Sequence, residues 1–180
     1  REVVSLFAAL LSYGRVQSIG QAIESAVRRM GPQPASSARQ DTVIEARQRF
    51  EGFVHRVTRG DDLARVWLGL GAILRTHKTL GDALRSWDTA GSDDFRPLLS
   101  RLRSEIVNET SEFPAERSFA HFLPDPSKGS ACKRYMMWLR WMVRGPDEVD
   151  LGDWSFLGTA RLRFPIDTHI HRIGQNLGLI

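Results

Sequence analysis

Apolar residues recur at helical spacing along nearly the whole chain, and glycine and proline make the breaks between the runs. Residues 2–13 and 16–30 each carry such a stripe, with Gly14 between them and Gly31-Pro32-Gln33-Pro34 ending the second. Ser36 to Gln40 reads as a polar connection. Asp41 is placed to cap a helix reaching about Arg59, Asp61 one reaching about Thr76, and Thr79 a shorter one reaching about Trp87. Ser92 to about Glu112 reads as one more helix, because a proline such as Pro97 is tolerated in a first turn. No segment alternates as a strand must, and no repeat is visible. The spacing predicts an all-α fold.

With 180 residues and 42% hydrophobic content, a chain of this size buries roughly 70% of its unfolded surface. One domain spanning 1–180 is therefore expected. Arg1 is not a natural start and the helical pattern runs to both ends, so both termini are expected to be truncated. Cys132 is the only cysteine, which excludes an intrachain disulfide framework and a four-cysteine iron–sulfur loop, and fits a reducing, cytoplasmic setting. No apolar run approaches the roughly 18 residues that span a bilayer, and no signal peptide is present, so no membrane partner is expected. The net charge is +4 and the pI near 9.8. The excess is mostly arginine spread over several helices, which suits a folded surface for a polyanion better than a basic tail.

Near the C-terminal end, Pro165 pushes Phe164 out of the helical region, so a helix entering after it starts cleanly. Asp167 is then an N-cap lying at the positive end of the helix dipole, with Ile170, Ile173 and Leu177 following at helical spacing and Gly178 as a stop. On this local reading Asp167 is a cap and nothing more. Upstream, residues 122–145 read as a tight connection followed by a helix. Pro124, Pro126 and Gly129 force the turn, and Ser127 or Ser130 caps a helix from about Ala131 to Arg144. At about 100° per residue, Arg140 and Arg144 fall within roughly 20° of Lys133, giving one basic stripe. Ala131, Tyr135, Trp138, Leu139 and Met142 lie opposite and read as core. Without further information the basic stripe is a solvated face; Trp141, off the core stripe, is a candidate for a pocket wall.

These segments carry a resemblance. Pro165-Ile166-Asp167-Thr168-His169 with Arg172 and Leu177-Gly178-Leu179 resembles the aspartate segment of the helix-hairpin-helix DNA glycosylase superfamily, which includes endonuclease III and the 8-oxoguanine glycosylases. Leu11-Ser12-Tyr13-Gly14-Arg15, Gly129-Ser130-Ala131-Cys132-Lys133-Arg134, Leu139 to Arg144 and Val149 to Trp154 are similar to a bacterial branch of glycosylase-like proteins, DUF2400, over nearly the whole chain. The resemblance implies two helical lobes with an active site between them, DNA with a damaged or extrahelical base as partner, no cofactor, and a monomer. It implies Lys133 as the nucleophile and Asp167 as the carboxylate that steadies positive charge on the sugar. The two lie 34 positions apart, a spacing similar to that of archaeal 8-oxoguanine glycosylases. An amine must be deprotonated to attack, which calls for desolvation or neighbouring cations such as Arg134 or Arg140.

By the same resemblance Lys128, Gly129 and Ser130 form the hairpin that meets a DNA phosphate, although they depart from the common Leu-Pro-Gly-Val-Gly pattern. Arg15, Arg134, Arg140, Arg144 and His169 are further DNA-contact candidates, and Tyr13, Trp141 and Trp154 candidates for the pocket that takes a flipped base. Tyr13 and Arg15 read equally well as helix-end packing and surface charge. His169 and His171, two residues apart, point to different helix faces, so no metal is expected. The expected activity is a DNA glycosylase with a β-elimination lyase step through Lys133; the alternative is a non-catalytic nucleic-acid-binding module on the same scaffold.

Overall fold

The computed structural model describes residues 1–89, 92–114, 116–164, 166 and 168–179. The fold is all-α. Among the described residues ten helices follow one another: α1 Glu2–Leu11, α2 Val16–Met30, α3 Pro34–Gln40, α4 Val43–Phe50, α5 Gly60–Thr76, α6 Leu80–Trp87, α7 Arg96–Asn108, α8 Arg117–Phe122, α9 Lys133–Val143 and α10 Thr168–Asn176. One antiparallel pair, β1 Val54–His55 with β2 Thr58–Arg59, separates α4 from α5.

The helix α5 is the hub. It is buried from Asp62 to Leu74, with α3, α4 and α7 packed on it. Two glycines permit this closeness: a Cβ on Gly71 would stand 2.0 Å from the Ala38 carbonyl oxygen, and one on Gly69 2.6 Å from the Ile106 Cα. Around Trp67 the core is aromatic, with Phe50 at 5.7 Å and Phe7 at 6.3 Å between ring centroids, both edge-on.

Several boundaries differ from the sequence expectation, each for a local reason. Ser36 to Gln40 belongs to a helix, α3, begun by Pro34 in its first turn, where the missing N–H is no loss. Asp41 does not cap α4. Its carboxylate takes a two-pronged bond from Arg49 (2.6 and 2.9 Å) and the Trp67 indole N–H (2.8 Å), while Thr42 and Glu45 form a reciprocal capping box. The helix expected to run to about Arg59 stops at Phe50, because the chain turns into the β pair, whose two-residue strands are too short to alternate visibly. At the start of α5 the carboxylate that accepts the Arg59 backbone N–H is that of Asp62 (2.8 Å), not Asp61; burial holds the Asp62 carboxyl above its ordinary pKa. Helix α7 begins at Arg96, later than expected, with Pro97 in its first turn. Helix α9 begins at Lys133 after a left-handed Cys132, so Ala131 lies outside the helical stripe and is exposed. Tyr135, Trp138, Leu139 and Met142 are buried as expected. On α10, Ile170, Ile173 and Leu177 are exposed. No helix among the described residues is long and apolar enough to cross a membrane.

Candidate active site

The connection between α8 and α9 builds one wall of an open cleft of about 590 Å³. Asp125 accepts the Ser127 backbone N–H (3.0 Å) and hydroxyl (2.7 Å), closing a single 3-10 turn over Pro126–Lys128; these bonds hold its carboxyl below the ordinary range. Gly129 then takes the left-handed conformation, φ 71°, that a side chain disfavours. The Ser130 hydroxyl accepts the Cys132 N–H (3.2 Å). Neither Ser127 nor Ser130 caps α9, whose N-cap Cys132 supplies no side-chain acceptor. The start of α9 is the positive end of an eleven-residue helix to which Cys132 adds no side-chain cap.

Lys133 heads that helix and lines the cleft with Lys128, Ser130, Tyr13, His121 and Arg103. Each arrives by a separate route. Tyr13 follows the end of α1, where its hydroxyl donates to the His55 carbonyl (2.8 Å) and meets the Thr58 hydroxyl at 2.7 Å. In return His55 Nε2 donates to the Tyr13 carbonyl (3.0 Å), so the β pair fixes the aromatic ring from behind. His121 stands near the end of α8, where Phe119 and Phe122 go to the core and leave His121 on the open side. Its ring meets the Tyr13 ring edge-on, 4.7 Å between centroids. Burial beside the Arg134 and Arg56 cations pulls the imidazole below its usual pKa. Arg103 reaches in from α7, bonded to the Leu123 carbonyl (3.2 Å) and 3.6 Å from the Asp125 carboxylate.

The other sequence candidates are placed differently. Arg134 donates to the backbone carbonyls of Leu10 and His121 and lies over the Tyr13 ring at 5.1 Å. Its guanidinium joins α1, α8 and α9 and has little left to offer a phosphate. Arg140 and Arg144 are 3.3 and 3.1 Å from the Asp150 carboxylate, which is completely buried. A loop carboxylate thus neutralises the two arginines of the stripe and does not reach its lysine end. Trp154 is a core residue: it is 1% exposed, its indole N–H donates to Glu2 (2.7 Å), and it meets Trp138 edge-on at 4.7 Å. Trp141 is half-buried against the same core, its carbonyl accepting the Leu151 and Gly152 N–H groups. Arg15 is exposed at the start of α2 and His169 is exposed on α10. Asp167, with Pro165, lies outside the described residues.

Sequence reasoning missed His121 and Arg103. His121 has no motif around it, and its place in the cleft follows only from the docking of α8 beside Tyr13.

The family model for DUF2400, described as a protein of unknown function, matches residues 1–180. The chain belongs to the DUF2400 family. No curated protein and no solved structure matches this DUF2400 chain.

Proposed function

We propose that this DUF2400 protein is a DNA glycosylase of the helix-hairpin-helix type, with a lyase step through Lys133. The observation that carries the reading is the position of Lys133. It heads a helix whose first turn lacks a side-chain cap, directly after a tight glycine turn, on a cleft that also holds Lys128, Arg103 and an aromatic ring. The positive helix start and the cations suit phosphate, the Tyr13 ring suits a base stacked out of the duplex, and the amine suits attack on a sugar. A cleft of about 590 Å³ is of the size that takes a single small organic group.

In this reading the Lys133 amine attacks C1′ of the damaged nucleotide and the base leaves with the glycosidic electron pair. The sugar ring opens to a Schiff base on the Lys133 nitrogen. The Asp167 carboxylate accepts the proton shed by the amine and steadies the cationic sugar, as the resemblance of its segment implies. Two helical lobes flank the site, with Lys128, Gly129 and Ser130 on the DNA backbone. Tyr13 is the stacking residue; Arg15 and His169 extend the contact along the phosphates.

Borohydride reduction of mixtures of the full chain with duplex DNA carrying an abasic site or 8-oxoguanine, uracil or alkylated bases tests this. A covalent adduct is expected with wild type and is lost in Lys133→Ala. Absence of any adduct or base release, together with binding that weakens steeply as salt rises, would replace catalysis by plain nucleic-acid binding.

A further inference from the structure

Among the described residues His121 is the one imidazole lining the Lys133 cleft, and the chemistry proposed for Lys133 leaves it without a task. It is held firmly. Its backbone carbonyl, not its ring, takes the Arg134 guanidinium bond, and the flanking Phe119 and Phe122 are buried. Its ring rests edge-on against Tyr13, which the β pair anchors through His55 and Thr58. His121 therefore lines the cleft on a helix end that Arg134 ties to both α1 and α9.

The charged and titratable groups around it are overwhelmingly basic. Arg134 and Lys133 come from α9 and the buried Cys132 precedes it, Arg103 comes from α7, His55 from the β pair and Arg56 from the turn within it, and Lys128 and Asp125 from the turn between α8 and α9; Tyr13 follows the end of α1, and Glu116 and Arg117 stand at the start of its own helix. Among the described residues that line the cleft, the carboxylate is that of Asp125, already bonded to Ser127 and facing Arg103. Such surroundings keep the ring neutral below the pH at which an ordinary histidine loses its proton. A neutral imidazole is a proton acceptor, so its natural place is the step of the lyase reaction that removes a proton from carbon.

We infer that His121 is the general base of β-elimination, taking the C2′ proton from the sugar held on Lys133 as a Schiff base. This rests on the lyase reading above. The C2′–H bond breaks and its proton goes to the imidazole; its electron pair forms C1′=C2′ and neutralises the iminium as an enamine. The enamine nitrogen then restores the iminium, the pair moves to form C2′=C3′, and the C3′–O bond breaks with its electrons leaving on the 3′ phosphate. The imidazolium returns its proton to water. No oxidant, reductant or metal is required.

The test compares two rates on one substrate, an end-labelled duplex with a single abasic site, using the full-length chain. Borohydride trapping reports Schiff-base formation and strand scission reports elimination. In His121→Gln the ratio of scission to trapping is expected to fall about a hundredfold, the lower end of the range ascribed to general base catalysis. The acid limb of the wild-type scission profile is expected to vanish with it. In His121→Ala, added imidazole is expected to restore scission in proportion to its unprotonated fraction, a response that a merely structural role for the side chain would not give. An unchanged scission-to-trapping ratio in a variant that still traps would overturn the assignment of His121 alone. A wild-type protein that forms no adduct would overturn the lyase reading itself, and the role of His121 with it.

Discussion

The two ends of helix α9 carry similar charge and are put to different use. At its C-terminal end Arg140 and Arg144 converge on the buried Asp150, and Trp138, Trp154 and Glu2 close the space beneath. At its N-terminal end Lys133 stands on an open cleft beside Lys128 and Tyr13, with the first turn lacking a side-chain cap. Cations that share one helical stripe are thus divided by what the rest of the chain brings to them. A carboxylate from the loop after α9 turns one end into structure. Its counterpart at the other end is a glycine turn that sets Lys133 on a cleft of about 590 Å³.

The comparison predicts that stability and activity separate along the helix. Trp138 is completely buried and its indole N–H donates to the Ser5 hydroxyl (2.9 Å), so Trp138→Ala is expected to lose about 3–5 kcal/mol of unfolding free energy in denaturant titration. Lys133→Ala, at the exposed end, should change it by less than about 1 kcal/mol while removing adduct formation. Equal losses from both would break the contrast.

A smaller effect is expected from Asp150→Asn. Removing one member of a buried ion pair typically costs about 3–5 kcal/mol, but here both arginines are nearly half exposed and rehydrate, so about 2 kcal/mol is the expected loss. The same variant removes the Asp150 charge from Arg140 and Arg144, while Arg144 keeps Asp147 at 3.7 Å. If they then add to DNA affinity at low salt, Asp150 is what withholds them; no gain would mean that their face never meets the duplex.

The smallest effect concerns pH. His121 has its pKa lowered by burial and by Arg134 and Arg56, so between its folded and unfolded values the unfolded chain binds more protons. Stability contributed by the neutral ring is full above the ordinary histidine value of about 6.5. It is progressively lost as pH falls below that value, and the loss levels off once pH passes below the folded value. In melting experiments His121→Gln should flatten this part of the pH dependence; an identical slope would mean that the ring is no less basic folded than unfolded.

Much of the helical skeleton was legible because it rests on local rules. Thr79 caps α6 as its spacing implies, Pro97 sits in the first turn of α7, and Tyr135, Trp138, Leu139 and Met142 form the buried face of α9. The β pair was illegible because two residues per strand leave no period to detect. Caps went to the wrong neighbour at Asp41 and Asp61, where several side chains compete for the same N–H groups and a distant Arg49 or Trp67 settles the outcome. In the cleft, the turn of Lys128, Gly129 and Ser130 and the lysine after it were readable from their order. Trp154 was not, since its place against Trp138 and Glu2 depends on how the loop after α9 folds back.

By itself the sequence determined the all-α class, several of the breaks made by glycine and proline, and which face of α9 goes inward, since periodicity and backbone restriction act within a few residues. Only the tertiary structure decided which cations of α9 converge on a buried loop carboxylate and which line a cleft. That choice depends on groups far apart in the chain: Asp150 against Arg140, Leu10 against Arg134, and Tyr13 against both His55 and His121. Charge is a property of a residue, but its availability is set by the polar group that packing brings within about 3 Å of it.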